Sequence, residues 1–140
     1  MIMICLLLAL LALQPCQAGQ TITAAVDEDI IIDYQLFVGD RDPLAIDHFS
    51  GPGARRDVIE IILLQQALQL GGFSRKVVLR PEQSYLRILR LVQDGHVALS
   101  GALMWKSDLK KHEGLLLISP ALVREGEFIA GLYTHHSNKK

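Results

Sequence analysis

Segments typical of strands alternate with segments typical of helices through the middle of the chain. Residues 30–38, 76–80 and 96–103 are rich in β-branched or small apolar residues, which predicts three strands. Between them, apolar residues recur at helical spacing from Asp57 and again from Tyr85, and each pattern stops at glycine, which predicts two helices. This order is typical of a parallel sheet with right-handed crossovers. The sequence therefore predicts an α/β fold with a parallel-sheet core and flanking helices.

Polar and aromatic residues follow each predicted strand, at the edge where a parallel sheet binds its ligands. Asp40 follows the first strand and forms with Asp42 a pair of carboxylates that suits a cation or a ligand amine. Tyr85 follows the second strand and lies at the start of a helix, where its ring could line a cleft. Beyond the third strand, Trp105 offers a ring for stacking and Lys110 a positive charge for an anionic group.

Each of these candidates also has a purely structural interpretation. Asp40 fits a solvated turn, since no third acidic ligand can be identified beside it. Tyr85 fits a half-buried position in the core, and Trp105 fits a ring that covers the rim of the core. Both interpretations stay open at the level of the sequence.

Residues 1–18 are interpreted as a secretory signal peptide. The apolar run is shorter than the roughly 20 residues that cross a bilayer, and the small residues Cys16 and Ala18 suit cleavage after Ala18. An uncleaved membrane anchor is the alternative. Cleavage would leave residues 19–140 as a periplasmic protein. It would also remove Cys5 and Cys16, the two cysteines, so we expect no disulfide and no cysteine metal site in the mature chain.

Composition and motif content argue against several functions. The chain carries 14 basic and 15 acidic residues, without the basic excess of a nucleic-acid-binding protein. Its 5 histidines show no zinc-binding spacing. No nucleophile elbow, phosphate-binding loop or dinucleotide fingerprint is found in the sequence. We therefore expect no metal, no cofactor, no nucleic-acid partner and no enzymatic activity.

Four successive segments carry a helix end like Leu-x-x-Gly, a predicted strand, a corner like Thr-Pro-Glu-Arg and a segment like Phe-Ser-x-Pro-Tyr: residues 91–95, 96–103, 107–110 and 117–121. In this order they resemble the first lobe of periplasmic solute-binding proteins of family 3, the amino-acid-type transport receptors. The helix over residues 57–72 is similar to the first helix of that family. The resemblance implies a type II periplasmic-binding-protein lobe that binds a small polar, amino-acid-like solute non-covalently for an ABC-type permease.

The resemblance also assigns roles at the corner of the lobe. Ser107 keeps the hydroxyl of the family's threonine, while Lys110 replaces its arginine by a point charge. Ala98 and Ala121 stand where the family has an aspartate and a tyrosine. Together with the strand-end candidates, the predicted ligand-binding residues are Asp40, Tyr85, Trp105, Ser107 and Lys110.

The carboxy-terminal part of the chain bears on an alternative function. We predict a polar loop or short helical turn over residues 107–113, extended segments over residues 115–118 and 127–133, and a frayed tail at residues 135–140. The similarity ends near the point where the family's chain crosses into a second lobe, which predicts a single lobe and half of a binding cleft. The alternative function is a sensory or interaction module without solute binding. Self-association could supply the missing wall.

Overall fold

A computed structural model of the protein describes residues 21–127. Its elements are β1 (Ile22–Asp27), α1 (Glu28–Val38), α2 (Arg56–Leu70), β2 (Val77–Glu82), α3 (Tyr85–Gln93), β3 (Leu99–Ser100) and α4 (Lys106–Leu109), with 3-10 helices at Pro43–Ala45 and Lys110–His112. The chain divides into two compact units, the first ending at Leu103 and the second beginning at Met104. The predicted signal peptide and the predicted frayed tail lie outside the described residues.

The first unit is built on a three-stranded parallel sheet of order β2-β1-β3. β1 pairs with β2 along its whole length, from Ile22 opposite Val77 to Asp27 opposite Glu82. On its other side, the middle of β1 pairs with β3. The chain thus leaves the central strand on one side for β2 and returns on the other for β3. The predicted α/β class, with a parallel sheet flanked by helices, is confirmed.

Both faces of the central strand are covered. Ala24, Ala25 and Val26 are completely buried, and successive residues of a strand point to opposite faces. Val26 belongs to a core cluster with buried residues of α1, α2 and the loop between them: Ile30, Phe37, Val38, Ile46, Val58, Ile61 and Ile62. α3 contributes its own buried residues, Ile88 and Leu89. Helical packing therefore fixes the sheet, and with it the ends of its strands.

The segment predicted as the first strand is a helix. Residues 30–38 lie within α1, and the first strand is the preceding segment Ile22–Asp27. The run of three isoleucines favours a strand by propensity, but burial recurs at helical spacing, with Ile30 and Phe37 both in the core cluster. Ile32 is 73% exposed, which a strand buried on both faces would not allow. The strand prediction is therefore wrong.

Both ends of α1 carry local helix signals. Glu28 and Asp29 place negative charge in the first turn, where the helix dipole favours it. At the other end, the guanidinium of Arg41 donates to the main-chain carbonyls of Phe37 and Val38, which the helix leaves without partners of its own. These contacts stabilise a helix in a segment whose residue preferences favour a strand.

The remaining sequence predictions for the first unit agree with the structure to different degrees. The helix predicted from Asp57 is α2, and the strand and helix that follow are β2 and α3. The third strand, predicted over residues 96–103, pairs with β1 only at Leu99–Ser100. Its flanks still bond to the central strand, because the N–H groups of Ala98 and Gly101 donate to carbonyls of β1 at 2.9 and 2.7 Å.

The second unit is described from Met104 to Glu127. Its helical turns α4 and Lys110–His112 confirm the short helical turn predicted over residues 107–113. Leu115 lies in a turn, and residues 116–118 pair with no other strand among the described residues. The segment predicted over residues 127–133 lies beyond the described residues except for Glu127. Among residues 21–127, no helix is long and apolar enough to cross a membrane.

Candidate functional site

The carboxyl ends of the three strands meet at one edge of the sheet. Asp27 ends β1 opposite Glu82 at the end of β2, and Ser100 ends β3 opposite Ala25. Because the chain goes from β1 to β2 on one side and then crosses to β3 on the other side of β1, this edge contains a topological switch point, where open parallel sheets bind their ligands. We define the carboxyl edge as Asp27, Glu82, Ser100 and Gly101, and take it as the candidate site.

Asp27 is a carboxylate at the end of the central strand, and among the described residues it has no neutralising partner. It occupies the N-cap position of α1, but its side chain makes no capping hydrogen bond. Within residues 21–127, no ion pair involves it. Burial raises the pKa of Asp27, and the negative charges of Asp29 and Asp57 raise it further. A cationic group of a ligand would compensate this charge, which no residue of the described part of the chain neutralises.

The end of β3 closes tightly against β1. The hydroxyl of Ser100 donates to the carbonyl of Ala102 at 2.8 Å and accepts from its N–H at 3.2 Å, which makes a local turn. A Cβ atom added to Gly101 would lie 2.4 Å from Cγ1 of the buried Val26. Glycine is therefore required for β3 to approach the central strand, and it fixes one wall of the carboxyl edge.

A clamp of ion pairs joins the starts of α1 and α2 near Asp27. The guanidinium of Arg55 bonds Asp33 at 2.9 Å, Asp57 at 2.7 Å and Asp29 at 3.2 Å. The hydrogen bonds to Asp33, Asp57 and Asp29 raise the pKa of Arg55. Since the guanidinium is already shared among three carboxylates, its role here is to hold two helices together.

We expect Arg55→Gln to lower the melting temperature by a few degrees in low salt, because two aspartates of α1 and one of α2 lose their common counterion. The cluster is exposed, so high salt should remove most of the effect. Thermal unfolding at two ionic strengths measures it. Lys76→Gln, which removes an exposed charge elsewhere, is the control. An equal loss at both ionic strengths would contradict an electrostatic clamp.

A second ionic cluster lies at the end of β2. Glu82 is only 7% exposed, and each of its carboxylate oxygens meets one guanidinium: Nε of Arg80 at 2.7 Å and Nε of Arg87 at 2.6 Å. Arg87 lies on α3, whose N-cap is Ser84, and the hydroxyl of Ser84 accepts from the main-chain N–H of Arg87. One buried negative charge is thus flanked by two arginines that reach solvent.

Asp40 does not lie at the carboxyl end of a strand. It is exposed in the turn that follows α1, a helix of 11 residues that begins at the carboxyl edge. A helix of that length spans about 16 Å, so Asp40 follows the end of α1 that is remote from Asp27. Its neighbour Asp42 accepts a hydrogen bond from the N–H of Leu44 and caps a 3-10 helix. The predicted placement of Asp40 is wrong because the segment before it is helical.

Tyr85 lies where the sequence predicts it. It is the first residue of α3, three positions after Glu82, and its side chain is half-buried. This position is on the carboxyl side of β2. Its role as a ligand contact stays a prediction.

The other three predicted ligand contacts lie in the second unit. Trp105 is the N-cap of α4 and 61% exposed, Ser107 is exposed within that helix, and Lys110 opens the following 3-10 helix. The second unit also has an open pocket of about 420 Å³, lined by Lys106, Glu113, Leu116, Ile118, Ser119 and Pro120. None of the five predicted residues lines that pocket, and their role in binding stays a prediction.

Neither Asp27 nor the Glu82 cluster is among the residues predicted from the sequence. Asp27 is absent because the predicted first strand begins at residue 30, after the true strand has ended. The signal that could have identified it is an apolar stretch, Ile22–Val26, followed directly by Asp27, Glu28 and Asp29, since acidic residues are favoured where a helix begins. For Glu82, burial beside two arginines depends on pairing between strands, which no local pattern indicates.

In the part of the chain that the structure describes, no group of three or more histidine, cysteine, aspartate or glutamate residues could hold a metal ion. Comparisons of the chain with protein-family models, with curated proteins and with solved structures returned no match. Function is therefore inferred from the carboxyl edge itself.

Proposed function

We propose that this protein binds a small polar, amino-acid-like solute non-covalently, as a lobe similar to those of amino-acid-type periplasmic solute-binding proteins. The observation that carries this proposal is Asp27, a carboxylate at the switch point without an ion pair or capping bond among the described residues. By the same resemblance, we propose a periplasmic location and an ABC-type permease as partner.

The charges of the edge favour an ammonium group as the part of the solute that meets Asp27. Glu82, its partner in the strand register, is already paired with two arginines. Asp29 and Asp57 share Arg55. Burial, and after it the repulsion from Asp29 and Asp57, raises the pKa of Asp27 by disfavouring its ionised form. An ammonium group favours that form and would lower the pKa, so solute binding should strengthen as the pH rises and Asp27 ionises.

The test is Asp27→Asn, which keeps the shape of the side chain and removes its charge. In wild type the folded state holds the proton of Asp27 more tightly than the unfolded state does, so stability falls as the pH rises above the pKa of the unfolded chain. The variant should therefore melt roughly 1–3 °C higher near neutral pH, and equally with wild type in acid below both pKa values. It should also lose the rise in melting temperature that zwitterionic and cationic amino acids give to wild type.

Asp47→Asn is the matched control, because Asp47 is an exposed loop carboxylate. It should keep both the wild-type melting temperature and the response to amino acids. If Asp27→Asn melts at a higher temperature than wild type and no longer responds to amino acids, the charge of Asp27 lowers stability and serves binding. A full response in Asp27→Asn, or no response of wild type to any amino acid, would refute the proposal.

An interaction module without solute binding is the second candidate. In its described part the second unit fully buries no residue, and it exposes Leu115, Leu117 and Leu122 by 74% or more. Apolar exposure of this kind suits burial against another protein or a second copy of the chain. Light scattering over a range of protein concentrations would distinguish this function. If the protein is an interaction module, we expect its chains to associate as their concentration rises, and we expect no amino acid to change the melting temperature.

A further inference from the structure

We propose that Arg80 and Arg87, held in place by Glu82, form a binding pair for an oxyanion, a carboxylate or phosphate group, at the carboxyl edge. The inference rests on the proposed function in one respect, because it names a second chemical group of the solute bound at that edge. The pair lies outside the ligand contacts that the sequence predicts.

One carboxylate, that of Glu82, positions both guanidinium groups. Arg80 reaches Oε1 from the same strand and Arg87 reaches Oε2 from α3, at 2.7 and 2.6 Å. Because the two arginines use different oxygens of one carboxylate, they flank it. Glu82 is 7% exposed, so the group that positions them is itself held by packing. Pre-positioned side chains lose less conformational entropy when a ligand binds.

The N–H donors of Arg80 and Arg87 that do not contact Glu82 suit an oxyanion. A guanidinium carries five N–H donors in a planar fork, and each arginine here meets Glu82 through Nε. Within residues 21–127 their Nη groups meet no other acceptor, which leaves them for the oxyanion. The side chains are 41% and 63% exposed, so an anion in solution can reach them. Carboxylate and phosphate are the groups that such a fork binds in a bidentate manner.

The charge balance points the same way. One arginine would neutralise Glu82, so the second leaves the cluster with a net positive charge in an otherwise acidic neighbourhood of Asp27, Asp29 and Asp57. Strand pairing sets the backbone of Glu82 beside that of Asp27, about 4.8 Å away in a typical sheet. A zwitterionic solute could therefore place its ammonium group at one strand end and its anionic group at the next.

The experiment titrates the purified protein with inorganic phosphate at low ionic strength and follows melting temperature and binding heat. Wild type should be stabilised, and Arg87→Gln and Arg80→Gln should bind phosphate about tenfold more weakly or worse. Arg90→Gln is the matched control, since it removes an exposed arginine one turn further along α3, and it should respond as wild type does. Acetate titrated in parallel distinguishes a carboxylate site from a phosphate site.

Folding of the variants is checked by circular dichroism, and Arg80→Lys and Arg87→Lys keep the positive charge beside Glu82 if the glutamine variants fail to fold. The lysine variants should also bind phosphate more weakly, because a lysine lacks the planar fork. Equal binding by wild type and all variants, or no binding of either anion by wild type, would overturn the proposal. Phosphate carries no amine, so this result is independent of the Asp27→Asn test.

Discussion

Truncation of Ile61 to alanine is expected to lower the free energy of unfolding by about 2–5 kcal/mol. Ile61 is completely buried on α2, in the cluster that also contains Val26 of the central strand. The variant loses the transfer free energy of three carbon atoms. It also leaves a cavity, because the neighbouring Val58 and Ile62 are equally buried and β-branched and can adjust little.

Chemical unfolding measures this loss as a lower midpoint with an unchanged denaturant slope. Leu63→Ala is the control on the same helix, because Leu63 is 46% exposed and its truncation should cost less than about 1 kcal/mol. Similar losses for Ile61 and Leu63 would contradict the burial pattern of α2 and, with it, the packing that supports β1 and Asp27.

The elements that could be predicted are those in which local pattern and tertiary packing agree. α2 shows helical spacing of its buried residues and ends before Gly71 and Gly72, so the sequence predicts it from Asp57 with little error. α3 has Ser84 as its N-cap, and the cap is formed by the hydrogen bond to Arg87. In both helices the preference of the residues and the burial in the fold point to the same structure.

The first strand could not be predicted because residue preference and burial in the fold point to different structures there. Residues 30–38 have the stronger preference for a strand, yet they form α1. β1 is shorter and contains Ala24 and Ala25, which have weak strand preference. Ala24 and Ala25 suit the centre of the sheet for another reason, since both are completely buried between neighbouring strands and helices. The space between the layers of the fold decides which side chains fit at these two positions. That space cannot be read from a single sequence.

The residues of the candidate site also divide into those that local sequence places and those that depend on the pairing of distant segments. Tyr85 was placed correctly because it depends only on β2 and α3, whereas the placement of Asp40 was wrong because it depended on the first strand. Asp27 and Glu82 become a site through strand order and register. Both properties arise from pairing between distant segments, so the electrostatics of the carboxyl edge could be read only from the fold.

Substitution of Gly53 by alanine is expected to lower the free energy of unfolding by about 2–4 kcal/mol, through backbone strain and a direct clash. Gly53 has φ of +75°, which side-chain-bearing residues rarely adopt. An added Cβ atom would lie 2.5 Å from the carbonyl oxygen of Asp33 and 3.1 Å from the main-chain nitrogen of Phe37. These two atoms are spaced as the acceptor and donor of one helical hydrogen bond, so α1 could not yield without losing it.

Gly72→Ala separates the two costs, because Gly72 has a similar φ of +84° and no atom within 4 Å of an added Cβ. It should lose only about 1–2 kcal/mol, the strain of the left-handed backbone. The additional loss of unfolding free energy in Gly53→Ala, measured by chemical unfolding, is then the cost of the contact with the main chain of α1. Equal losses at the two glycines would mean that the loop does not pack on a helix there. Since α1 begins where Asp27 ends the central strand, this comparison tests the fold assignment on which the candidate site depends.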